Sequence, residues 1–217
     1  MMGMEEIIYS LLKEKKTADL IGKIKSKEIP VTFVDSKSVS LYMLSLYFRN
    51  KELTGFLSDH LSSFSVYEAA AGGQLEALKS NLENDSLLLD SFSPDGFTPL
   101  GLACYFGQIG IATYLLEKGA DPNIPSNNPF KVSPLHSAVA AKRYDIAKLL
   151  LKYKAEVNAV QQNNVTPLHS AAHHGDIEMA KLLINNGADK TKRMDDGSTP
   201  LDMALKVGVI ELNNLLS

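Results

Sequence analysis

Four copies of one short motif divide the C-terminal part of this sequence into units of nearly equal length. Thr98-Pro99-Leu100, Ser133-Pro134-Leu135-His136, Thr166-Pro167-Leu168-His169 and Thr199-Pro200-Leu201-Asp202 begin 35, 33 and 33 residues apart. A second motif follows each of the first three: Gly119-Ala120-Asp121-Pro122-Asn123, Lys154-Ala155-Glu156-Val157-Asn158 and Gly187-Ala188-Asp189. A period of this size marks supersecondary units that bury their apolar faces only by stacking on one another.

The residues inside each unit spell out a pair of helices. Proline suits the first helical turn, where its missing N–H costs nothing, and the Thr or Ser before it is a good N-cap. Five residues on comes a small side chain, Ala103, Ala138, Ala171 or Ala204, which lets a short first helix sit close to its neighbours. Gly107, Gly175 and Gly208 end that helix. A second helix follows, with Ile109, Ile111, Ala112, Leu115 and Leu116, or Ile177, Met179, Ala180, Leu183 and Ile184, on one apolar face. Gly119 and Gly187 close it, and turns at Asp95-Gly96 and Asp196-Gly197 form hairpins leading into the next unit. Lys142 and Lys154 stand where the other units have helix-ending glycines, so Lys154 in a left-handed conformation carries strain of about 1 kcal/mol.

Over Phe92–Ser217 these motifs make the chain resemble the ankyrin-repeat family, whose unit of about 33 residues opens on Thr-Pro-Leu-His and carries two helices. The resemblance implies an all-α solenoid of helix-turn-helix units joined by β-hairpin loops. It also implies that the motif histidines, His136 and His169, hydrogen-bond neighbouring backbone and hydroxyl groups.

Carried backwards, the frame places Phe64 at the Thr position, with Ala69 and Gly73 following and Leu75, Leu78 and Leu82 on the apolar face. Ser40 fits the position before that, with Ser45 in the small slot. Only 24 residues separate Ser40 from Phe64, so the hairpin between them is expected to be missing. One further step lands on Ile7, and Ile7–Lys13 and Ala18–Ile24 read as a helix pair. Six to seven pairs are expected: residues 1–63 as degenerate pairs or a small helical cap, and residues 64–217 as about four repeats plus a C-terminal capping pair.

A stack of this kind has no natural enclosed pocket but offers a concave face to partners. In the family, contacts usually come from the hairpin tips and from positions seven and eight after the motif Thr. Those positions hold Tyr47 and Phe48, Tyr105 and Phe106, and His173 and His174, and the tips add Asp95, Phe97, Gln162, Asn163, Asp195 and Asp196. The aromatic pairs stand out, because aromatic side chains bury large area at low entropic cost. The insertion Pro125–Phe130 lengthens one tip by two residues.

The expected function is therefore a protein-interaction module without enzymatic activity or cofactor. A narrower alternative is an inhibitor or protective protein covering a particular enzyme or toxin. A metal-dependent hydrolase built on His169, His173 and His174 is the least favoured, since no strong third ligand lies near them.

Among 217 residues, 22 Lys and Arg balance 25 Asp and Glu, which gives no net pull toward nucleic-acid phosphates. No stretch reaches the roughly 18 apolar residues of a membrane span. One cysteine, Cys104, excludes an intrachain disulfide and reads as a small buried residue. A cytoplasmic monomer with one protein partner is the expected state.

Overall fold

The structure, a computed structural model, describes residues 3–217. Among these, fourteen α-helices follow one another in seven pairs. In order they are α1 (Met4–Lys13) with α2 (Thr17–Lys25), α3 (Leu41–Tyr47) with α4 (Lys51–His60), α5 (Val66–Gly72) with α6 (Leu75–Asn84), and α7 (Pro99–Phe106) with α8 (Ile109–Glu117). Then come α9 (Pro134–Ala140) with α10 (Tyr144–Lys152), α11 (Pro167–His173) with α12 (Ile177–Asn185), and α13 (Pro200–Val207) with α14 (Ile210–Leu216). The first helices stack neighbour on neighbour from α3 to α13, and the second helices do so from α8 to α14. This is an all-α solenoid. Its finger-like hairpins are tight turns closed by a few main-chain bonds, with isolated β-bridges at Val34–Ser40 and Gln161–Val165 and no longer strand among the described residues.

Local chemistry sets the start of each first helix in the repeat region. The hydroxyls of Ser40, Thr98, Ser133, Thr166 and Thr199 each accept the N–H three residues on, as N-caps do. The third pair departs from the expected frame by one residue at its start only. Ser65, not Phe64, is the N-cap, because its hydroxyl accepts from Glu68 N while the Glu68 carboxylate accepts from Ser65 N at 2.8 Å. A phenylalanine has no oxygen for that purpose. The end of the helix keeps register: Gln74 N donates to Ala69 O as Gln108 N does to Ala103 O.

The first pair is also displaced. Lys16 N donates to Leu11 O and Lys15 is left-handed at φ 56°, which puts the Thr position at Glu6 instead of Ile7. Its helix begins three residues before the expected Ile7, from an N-cap at Gly3. Without a Thr-Pro pair to mark the start, the 33-residue step alone located the helix and missed its first turn. Lys142 and Lys154 take the left-handed conformation of the glycines they replace, with φ 55° and 68°.

Apolar packing forms two clusters of buried residues that share Phe64 and Tyr67 as partly buried members. One holds Ile8, Leu20, Tyr42, Leu53 and Leu57, and the other runs from Val66 to Leu216. Small residues at the end of α5 let the two approach. A Cβ on Gly72 would stand 2.1 Å from the hydroxyl oxygen of Tyr42, so only glycine fits beside that buried ring.

Side-chain amides tie the far loops together. Asn123 Oδ1 accepts from Glu156 N at 2.7 Å while its Nδ2 donates to Lys154 O at 3.3 Å; Asn158 repeats this with Asp189 N at 2.8 Å and Gly187 O at 3.0 Å. Asp90 faces Asp121 N in the same manner at 3.3 Å but has no N–H to give back. Burial raises its carboxyl pKa, the Asp121 N–H opposes this, and the Asp121 charge adds to it. Asp90→Asn supplies the missing donor and removes a charge, and is expected to stabilise the fold by about 1 kcal/mol. An unchanged or lower urea midpoint would count against this ladder of amides.

Candidate protein-binding groove

Helical spacing turns the seventh position after each cap toward the fingers, together with the residues three and four before it. The result is a groove of about 300 Å³ between the finger row and the first helices. Its wall comes from Gly101, Leu102 and Tyr105 of α7 and from His136, Ser137 and Ala140 of α9, with Ser170 of α11 beyond. Phe97, Val132 and Gln161 close it from the finger side, and Tyr47 closes its N-terminal end.

Tyr47 reaches this place from α3 across the third pair. Its hydroxyl donates to the Asp95 carboxylate, and its ring lies tilted against Phe106 with centroids 5.4 Å apart. Burial, reinforced by the Asp95 carboxylate, pushes the Tyr47 pKa far above the usual phenol range, so the ring stays a neutral donor. Asp95 is also held by Ser93 Oγ at 2.6 Å. Phe106 packs against the N-terminal core and meets Tyr105 edge-on at 5.2 Å, which leaves Tyr105 as the projecting aromatic, 39% exposed. Phe48 points elsewhere, with its ring 6.1 Å from that of Tyr9.

The other sites expected from sequence lie along the same side without lining the groove. His173 is exposed on α11, one turn beyond Ser170, and its ring is 5.6 Å from that of His174. His174 is half-buried; desolvation first, then the Lys142 and His173 charges, lower its pKa. Gln162 and Asn163 form an exposed fingertip, as do Asp195 and Asp196. These tips are bound sideways, Gln162 N to Phe130 O at 2.9 Å and Asp195 N to Asn163 O at 3.1 Å. Asp196 accepts from Ser198 N at 2.9 Å, and hydrogen bonds from Ser198 lower its pKa.

Sequence reasoning missed Leu102, Ser137 and Ser170, all at the fourth position after the cap. The signal was present, since a residue one helical turn before the seventh shares its face. Among the described residues, no hydrogen bond engages the hydroxyls of Ser137, Ser170 and Tyr105, so the groove keeps polar groups free among apolar walls.

The motif histidines are structural. In His169, Nδ1 accepts from Thr166 N at 3.2 Å and Nε2 lies 3.2 Å from the Ser198 carbonyl, which can only accept, so Nε2 carries the proton. Both nitrogens are occupied, and the ring has none to offer a metal. His136 is held likewise, 2.8 Å from Ser133 Oγ and 3.0 Å from Val165 O. Among the described residues, no three His, Cys, Asp or Glu side chains are grouped as metal ligands. Cys104 is fully buried, and burial pushes its thiol pKa up.

A family model described as ankyrin repeats (3 copies) matches residues 66–161 and 135–217. The chain belongs to the ankyrin-repeat family. It is similar to human transient receptor potential cation channel subfamily A member 1, 32% identical over 126 residues, covering 57% of this chain and 11% of that protein. It is 44% identical over 64 residues to human DNA-binding protein RFXANK, covering 30% and 25%, and 36% identical over 63 residues to human ankyrin repeat family A protein 2, covering 29% and 20%. The matched stretch is thus a quarter or less of each of these relatives. Ankyrin repeats generally serve as protein-interaction modules. No helix among the described residues is long and apolar enough to cross a membrane.

Proposed function

We propose that this ankyrin-repeat chain is a non-catalytic module that binds one partner protein through the groove between the fingers and the first helices. The observation that carries this function is Tyr105, a partly exposed aromatic standing beside Phe97, Leu102 and Tyr47 over a cavity with apolar walls. Aromatic anchors at the centre of such surfaces dominate binding energy, and truncating one typically costs 2 kcal/mol or more, about 30-fold in affinity. His136 is held neutral by burial, so none of the described residues lining the groove is charged, and a charged group placed there would lose its hydration without a counter-charge. The partner therefore presents an uncharged segment.

Tyr105→Ala should weaken capture of the partner about 30-fold while leaving the melting temperature nearly unchanged. Ala140→Trp, which fills the groove from α9, should block it as well. Partner capture by both variants at wild-type strength contradicts this function for the groove.

A further inference from the structure

The finger row has a gap, and its edges carry the strongest unassigned feature of the molecule. From the fourth pair onward each finger is joined to the next by a main-chain bond: Asn127 N to Gly96 O at 2.7 Å, Gln162 N to Phe130 O at 2.9 Å and Asp195 N to Asn163 O at 3.1 Å. In each case the earlier finger gives a carbonyl and the later one an N–H. Between α4 and the Ser65 cap only four residues, Leu61 to Phe64, make the connection, nine fewer than the 33-residue step from Thr166 to Thr199 would supply.

The absent finger leaves a slot of about 300 Å³ between the finger at Val34–Ser40 and the finger at Ser93–Phe97. Val34, Val39, Met43, Tyr67 and Pro94 give it apolar walls, and Val34 is 55% exposed. Pro94 holds the place where Gln162 and Asp195 present an N–H to the preceding finger, so that edge offers no N–H at this position. The opposite edge is different: the carbonyls of Lys37 and Ser38 receive no main-chain N–H from the described residues. Two carboxylates border the slot, but Glu68 is taken by Ser40 and Ser65 and Asp95 by Tyr47 and Ser93.

We propose that this slot receives an extended segment of the partner protein, standing where the absent finger would stand. Its main-chain N–H groups donate to the Lys37–Ser38 edge, continuing the finger-to-finger pairing of the later repeats, and one uncharged apolar side chain lies against Val34, Met43 and Tyr67. The proposal rests on the protein-binding function above and adds a second, separable contact beside the groove, with the finger that carries Asp95 and Phe97 between them.

The test selects random displayed peptides on the intact chain and measures their affinities for three variants. In the first, nine residues copied from positions 190–198 are inserted between Ser63 and Phe64 to restore a finger; the others are Val34→Ser and Tyr105→Ala. A peptide class lost on finger insertion, weakened about tenfold by Val34→Ser and unaffected by Tyr105→Ala supports the slot. Circular dichroism melting of the inserted variant checks folding, and Val34→Ser, at an exposed position, carries the result if that variant melts early. Peptides lost only with Tyr105→Ala overturn the slot and leave the groove standing. Selection that returns no peptide, or only peptides indifferent to all three changes, overturns both.

Discussion

Acidification from pH 7 to pH 4 is expected to remove about 3 kcal/mol of folding stability through one side chain, His136. Burial lowers its pKa from 6.5 to about 4, against the opposing hydrogen bond to Val165 O. Between these values the unfolded chain binds a proton that the folded chain refuses, so stability is complete above pH 6.5 and is lost as pH falls toward 4. His169, lowered chiefly by burial, acts in the same direction. The depressed carboxylates of Asp189, Asp196 and Asp202 also lose stabilisation as acid protonates them, so the whole chain's pH profile does not isolate the histidine. A comparison does: His136→Gln should start less stable at pH 7 and lose less on acidification. Urea midpoints measured across this range check it, and parallel profiles for the two proteins contradict it.

Leu115→Ala is expected to cost about 3 kcal/mol, the scale for emptying a fully buried leucine site. The distribution of that loss matters more than its size. Because each pair packs on its immediate neighbours, stability is close to a sum of unit and interface terms. A cavity in the fourth pair weakens coupling between the two halves, whereas Leu216→Ala, in the last helix, frays one end and costs less. Hydrogen exchange should show protection falling around α8 and across both flanking pairs in the first variant, but only in α13 and α14 in the second. Uniform loss along the chain in either variant is the result that excludes this packing.

The repeat region was legible because its signals are local. A Thr or Ser before proline caps a helix through atoms three residues away, and a glycine at the end of a helix acts through its own φ, so spacing alone places both. At Phe64 the same logic slipped by one residue: the frame was counted from the motif, while the cap depends on which side chain carries an oxygen, and Ser65 does. At the N-terminus the step from Ser40 was taken as 33 residues, and the structure sets the frame one residue earlier, at Glu6.

The groove was half legible. Tyr105, Tyr47, Phe97 and Asp95 were named from positions the family uses, and Leu102, Ser137 and Ser170 follow from helical spacing. The Tyr47–Asp95 bond was out of reach, since it joins residues 48 apart over a pair whose finger is absent. Nor did the residue types separate Tyr105 from Phe106, adjacent rings of which one projects and the other packs inward.

The most direct test of the binding face places a photo-crosslinking amino acid at position 105 or at position 148 in cells that express the chain. Lys148 is exposed on the second helix α10, away from the groove-lining residues. Partner crosslinks at position 105 and none at 148 are expected. The same partner captured from position 148 and not from 105 would show that the chain uses its outer helices and that the groove is not where it binds.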